Sequence, residues 1–251
     1  MASNPPAKCC TIGVKHDGEP KGSTIKLDGI DVYVAEPPED TAHKDSAILY
    51  LPDVIGIWQN SQLMADQFAA NGYYTIIPDL FLGDPIPLNR PGDFDLMSWL
   101  TKGSKGDNPH TVEATDPVVA KFVKYLQDKG CKNIGAVGYC FGAKYVIRFL
   151  AGKGIKVGYV AHPSFVEEAE VAKIEGPLSI AAAETDEIFP SEKRHKSEVV
   201  LKDTKQPYQI NLFSGVVHGF AVRGDMSVKH EKFAKEQAFL QAVSWFDEHL
   251  N

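Results

Sequence analysis

The chain is predicted to fold as a doubly wound α/β domain, a mostly parallel sheet flanked by helices. Three observations predict it. Short apolar runs recur along most of the chain, and they are near-continuous in apolar residues, as strands buried on both faces are. Stretches with helical spacing separate them. No internal repeat or long linker divides the 251 residues, and an α/β domain of this size commonly stays single.

Residues 1–22 are Gly/Pro-rich and are expected to form an N-terminal surface extension, with residues 23–251 as the domain. Ser23–Leu27 and Ile30–Ala35 flank Asp28-Gly29, a hairpin signal. Ala47–Leu51 and Tyr74–Pro78 read as buried strands. Asn133–Tyr139, Val157–Ala161, Leu178–Ala183 and Gln209–Phe213 read the same way. Between them, Asp116 is placed to cap a helix with Pro117 at its first position and Val118, Phe122, Tyr125 and Leu126 as its stripe; Gly130 stops it. The last helix, Glu231–Leu250, carries Phe233, Phe239, Ala242, Val243, Phe246 and Leu250 on a helical period. Leu80–His110 fits no element. It is either a functional loop or lid, or a solvated excursion.

Composition excludes several classes. A net charge of −7 offers no basic face for nucleic acid. No apolar run approaches the roughly 18–20 residues of a membrane span. Met1–Lys8 is polar and Pro-rich, with no apolar core of a secretory leader. Cys9, Cys10, Cys131 and Cys140 are too few and too irregular for a disulfide framework, so a reducing, cytoplasmic setting is expected. Cys9, Cys10 and His16 have no usual zinc spacing, and no nucleotide-binding glycine loop occurs; no metal or cofactor is expected.

The chemistry-bearing motif is Gly138-Tyr139-Cys140-Phe141-Gly142, between a strand candidate and a helix candidate carrying Tyr145, Val146, Phe149 and Leu150. A nucleophile elbow needs that context: small residues flank a tight turn that lifts the nucleophile above the sheet. The helix N-terminus favours a thiolate on Cys140. The bland alternative is a structural cysteine in a Gly-rich turn. His218 follows a strand candidate in a loop from which it can act as base; a loop histidine with only structural bonds is the alternative. Asp186 follows Leu178–Ala183 and is placed to orient the imidazole, with Glu184 and Glu187 as local competitors and turn capping as the bland reading. The order Cys140, Asp186, His218 is the nucleophile–acid–histidine order of the α/β-hydrolase fold, so that fold is expected here.

These residues, with Pro78-Asp79-Leu80-Phe81, Ile188 and Pro190 beside Asp186, Phe213-Ser214-Gly215 and His218-Gly219-Phe220, resemble the dienelactone hydrolase (carboxymethylenebutenolidase) family, its eukaryotic branch more than its bacterial one. The resemblance covers residue 25 to the end, and Cys9-Cys10 with Gly18–Gly22 is similar to an N-terminal extension of fungal members. It implies hydrolysis of a lactone or activated ester through an acyl-enzyme on Cys140, in a monomer or homodimer acting on a small molecule. It places the oxyanion between the backbone N–H groups of Val54 and Phe141. Asp53 stands where bacterial members carry a glutamate that contacts the cysteine; it is expected either to influence the thiol or only to cap a loop. Arg223 stands one residue beyond the position of a substrate-carboxylate arginine, which Val222 occupies; it is either a substrate anchor or a surface salt-bridge residue. Phe81 and His162 complete the pocket candidates. An acyltransferase, thioesterase or biosynthetic tailoring enzyme would use the same triad, and a non-catalytic binding protein on this fold is the third reading.

Overall fold

The computed structural model describes residues 2–90 and 94–250. Eight strands form one sheet in the order β1-β2-β4-β3-β5-β6-β7-β8. They are β1 (Ser23–Leu27), β2 (Ile30–Ala35), β3 (Ser46–Leu51), β4 (Tyr74–Pro78), β5 (Asn133–Tyr139), β6 (Val157–Ala161), β7 (Leu178–Thr185) and β8 (Tyr208–Val217). The Asp28-Gly29 hairpin joins β1 to β2, and β2 runs antiparallel to β4. From β4 to β8 every pairing is parallel. All residues of β3 and β6 are buried, which explains their unbroken apolar character. This is the α/β-hydrolase architecture expected from the sequence.

Helices cover both faces. On one lie α3 (Val112–Asp128) and α4 (Phe141–Phe149), with Phe122, Leu126, Val146 and Ile147 against the sheet. On the other lie α1 (Gln59–Ala70) and α8 (Lys229–His249), with Met64, Phe68, Ala238 and Phe246. Crossovers of this kind bring the loops after the parallel strands to one edge, where α/β sheets bind ligands.

Some expected boundaries move. The third helix begins at Val112, so Pro117 sits in its second turn, where one ladder bond cannot form. The last helix starts at Lys229, and Phe233 is 61% exposed, not part of the stripe. The buried face runs through Ala234, Ala238 and Ala242, one residue on, and one residue is about 100° around a helix. Strand β8 continues through Ser214-Gly215, which reads locally as a turn. A register irregularity opposite Ala183 and Thr185 absorbs Gly215 at φ 69°, and the Gly215 amide donates to Glu184.

The described residues of the 80–110 segment are not a solvated excursion. It contains α2 (Leu96–Lys102), and Phe81 and Trp99 are buried with ring centroids 5.2 Å apart. His110 stacks on Trp99 and bonds Asp84 at 3.0 Å. Phe81 reaches the Phe141 ring at 5.1 Å, and Ile86 donates to Val54 O, so the segment packs beside the elbow.

The surface expectation for residues 1–22 holds only in part. Ala2, Ser3, Cys10 and Thr11 are buried, while most of residues 12–22 are exposed or half-buried. Ser3 and Asn4 are tied to Val166, Phe165, Glu187 and Ile188, beyond β6 and β7. A 3-10 turn, Lys8–Thr11, follows, and Asn89 bonds Thr11 and Gly13. The segment is therefore a strap across the C-terminal edge of the sheet.

Candidate active site

Cys140 stands at the end of β5, between two glycines whose lack of a side chain makes the turn possible. A Cβ on Gly142 would lie 2.0 Å from Leu51 O, and one on Gly138 would meet Val146 and Ala143 within 2.7 Å. Cys140 itself is held at φ 51°, ψ −107°, a backbone state that L-residues rarely adopt. That strain, fixed by flanking strand and helix, points the thiol out of the sheet edge.

Two further strand ends converge on it. Asp186 follows β7, and its Oδ1 accepts from the Ile188 and Phe189 amides at 2.8 and 3.0 Å. Its two oxygens lie 3.0 and 2.9 Å from His218 Nδ1. His218 follows β8 directly. Its Nε2, the Cys140 Sγ and the Cys10 Sγ all lie within 4.8 Å of one another. Asp186 thus holds one ring nitrogen while the other lies beside the sulfurs, and the two competitors of Asp186 face elsewhere: Glu184 accepts from Gly215, and Glu187 is exposed.

Electrostatics favour an ion pair. Burial pushes the Cys140 thiol up, but a Cys10 hydrogen bond and the charges of His218 and Arg223 overcome this and hold it well below the usual range. Burial pulls His218 down, yet the Cys140 thiolate and Asp186 carboxylate raise it to about 10. Near neutral pH the couple is thiolate and imidazolium. Cys10 is pushed well above the usual thiol range, first by burial and then by Cys140, and stays protonated.

The other candidates separate. Val54 and Phe141 are both buried. The Ile55 amide is taken by Asp53 Oδ1 and that of Gly142 by Pro52 O. Asp53 and Arg223 form a buried ion pair, each only 1–2% exposed. Arg223 also donates to Ile12 O at 3.1 Å and Cys9 O at 3.3 Å. It is therefore neither a surface salt-bridge residue nor a free cation, and it ties the strap to the loop after β3. Asp53 both caps its loop and pairs Arg223. His162 is fully buried, its ring 4.9 Å from that of His218. Burial, then the charges of His218 and Arg223, hold it well below its usual range, so it is neutral. Phe81 lines the elbow through Phe141.

Sequence reasoning missed Cys10 and Ser164. Cys10 Sγ lies 3.3 Å from Cys140 Sγ and 3.6 Å from His218 Nε2, and Ser164 Oγ lies 3.6 Å from Cys140 Sγ. No local signal reveals contacts spanning 130 and 208 residues. His16, once grouped with Cys9 and Cys10, bonds Gly224 O instead.

A cysteine at a strand-to-helix elbow, with histidine and acid from later strand ends, is the arrangement of a hydrolase of the α/β type. The chain matches the dienelactone hydrolase family over residues 30–250 and belongs to it, a family of hydrolases acting on ester and lactone bonds. It is 49% identical to hydrolase tropI of Talaromyces stipitatus, over 100% of this chain and 99% of that one. It is 48% identical to hydrolase pyvD of Aspergillus violaceofuscus, with the same shares covered. Dienlactone hydrolase 1 of Gibberella moniliformis is 37% identical, over 98% of this chain and 95% of its own. Among solved structures, a putative dienelactone hydrolase from Klebsiella pneumoniae superposes with a TM-score of 0.72 at 14% identity, covering 91% of this chain and 98% of its own.

Proposed function

We propose that this protein hydrolyses a lactone or activated carboxylic ester through a thioester acyl-enzyme on Cys140. The carrying observation is the His218 imidazole, held by both Asp186 oxygens through Nδ1 and facing the Cys140 sulfur with Nε2. The thiolate attacks the carbonyl carbon, and the imidazolium donates its proton to the leaving oxygen. The neutral imidazole then takes a proton from water, whose oxygen attacks the thioester and releases the acid with the thiol. The Val54 and Phe141 amides are the donors for the tetrahedral oxyanion, since the amides of their neighbours Ile55 and Gly142 are already bonded. Because Asp53 neutralises Arg223, the pocket offers no unpaired guanidinium to a substrate carboxylate, which favours a neutral lactone or ester. Cys140 is wholly buried beneath the strap, so substrate enters by displacing Cys10.

The test is turnover of small lactones and p-nitrophenyl esters, with quench-flow detection of the p-nitrophenol released in the first turnover. Wild type should show covalent acyl on Cys140, and Cys140→Ala should lose roughly 10⁴-fold or more in kcat. Wild-type turnover by Cys140→Ala would refute the mechanism.

A further inference from the structure

Cys10 forms and breaks no bond in the hydrolytic cycle, yet this buried thiol stands against both reacting groups. Its sulfur is 3.3 Å from Cys140 Sγ and 3.6 Å from His218 Nε2, and all three atoms lie within 4.8 Å of one another. A tetrahedral zinc with Zn–S about 2.3 Å and Zn–N about 2.0–2.1 Å places its S···S and S···N neighbours roughly 3.5–3.8 Å apart. The Cys10–His218 separation matches the S···N spacing, and the two sulfurs, 3.3 Å apart, need to part by only about half an ångström to reach the S···S spacing. His218 is also oriented as metal-bound histidines are: a carboxylate holds Nδ1, and Nε2 faces the sulfurs.

We propose that Cys10, Cys140 and His218 form a three-ligand site for a thiophilic divalent cation of the Zn²⁺ class, and that filling it silences the nucleophile. The charge balance suits a buried site. Two thiolates and a neutral imidazole around one divalent cation carry no net charge, and the protons those ligands hold leave as the cation binds. Two sulfurs and one imidazole select a soft cation over Mg²⁺ or Ca²⁺, which prefer oxygen. The cation also anchors the strap, since Cys10 lies between Cys9 and Ile12, whose carbonyls Arg223 already holds. Binding is independent of the hydrolytic reading; only the silencing rests on it.

The probe is Co²⁺, titrated into the full chain kept reduced by a phosphine. One equivalent should produce a thiolate-to-cobalt charge-transfer band and intense tetrahedral visible bands, both displaced by Zn²⁺ and absent with Mg²⁺. Cys10→Ser, Cys140→Ala and His218→Ala should each weaken binding roughly 100-fold or more, since even supporting residues cost 10–100-fold. Cys9→Ala and Cys131→Ala should bind as wild type. Zn²⁺ should raise the wild-type melting temperature and stop ester turnover, both reversed by chelator. Wild type lacking the charge-transfer band at one equivalent, or a band that survives Cys10→Ser and disappears with Cys9→Ala, overturns the site. A band that behaves as expected while Cys140→Ala keeps full turnover leaves the site standing and defeats the hydrolytic mechanism instead.

Discussion

At the residue scale, the proposed chemistry depends on two groups whose protonation each controls the other. His218 keeps its proton to about 10, against the pull of burial, because the Cys140 thiolate and Asp186 carboxylate both favour the imidazolium. Cys140 is held well below the thiol range by Cys10, His218 and Arg223, against burial that raises it. Activity and alkylation of Cys140 should therefore persist below neutral pH and fail only as acid reprotonates the thiolate. At the other end, activity should fall as pH rises through about 10 and His218 loses the proton it must donate. Asp186→Asn removes one group that raises His218, so a pH–rate profile should show the alkaline limb moved toward neutrality. The rate itself should drop on the order of 10²–10⁴-fold, since the imidazole loses its orienting partner. An unmoved alkaline limb would mean that Asp186 holds the loop rather than the histidine.

At the scale of elements, the loop after β3, the short helix Phe220–Arg223 and the N-terminal strap are joined through one buried ion pair, Asp53 with Arg223. Removing one member strands a charge away from water. Arg223→Met or Asp53→Leu should each cost about 3–5 kcal/mol in urea unfolding, and the double variant should cost less than either single change. Additive losses in that cycle would show that the two residues act separately. The pair also shows where sequence reading stops. Both residues were legible as site candidates, but their partnership joins positions 170 apart and is invisible to spacing. Pro117 and Phe233 fail for a different reason: a helix end and a stripe are set by which face meets the sheet, and tertiary packing outweighs a local capping signal.

For the whole molecule, the governing feature is the strap over the sheet edge. Its contacts run to segments beyond β6 and β7, to the 80–110 segment and to Arg223. Deleting residues 1–13 should speed alkylation of Cys140 by iodoacetamide, measured by peptide mass spectrometry, because that segment covers a sulfur with no exposed surface. It should also lower the urea midpoint, since Cys10 and Thr11 leave the buried set. Equal alkylation rates in the two chains would show that the strap already opens freely in solution.

What the sequence determined by itself is the frame of the site. Apolar runs placed the central strands, because strands buried on both faces have little freedom in composition; the Asp28-Gly29 hairpin signal placed β1 and β2, and β8, read as a buried strand, is a largely exposed edge strand. The glycines around Cys140 marked the elbow, because no side chain fits against Leu51 O. Chain order then assigned Asp186 and His218 to later strand ends. The tertiary structure alone decided how the N-terminus is used. Cys9-Cys10 carries no periodic or spacing signal, and only the folded sheet edge brings Cys10 within 3.3 Å of Cys140. Local sequence encodes backbone preference and burial. A contact between residues 130 apart is set by where the whole sheet delivers its ends.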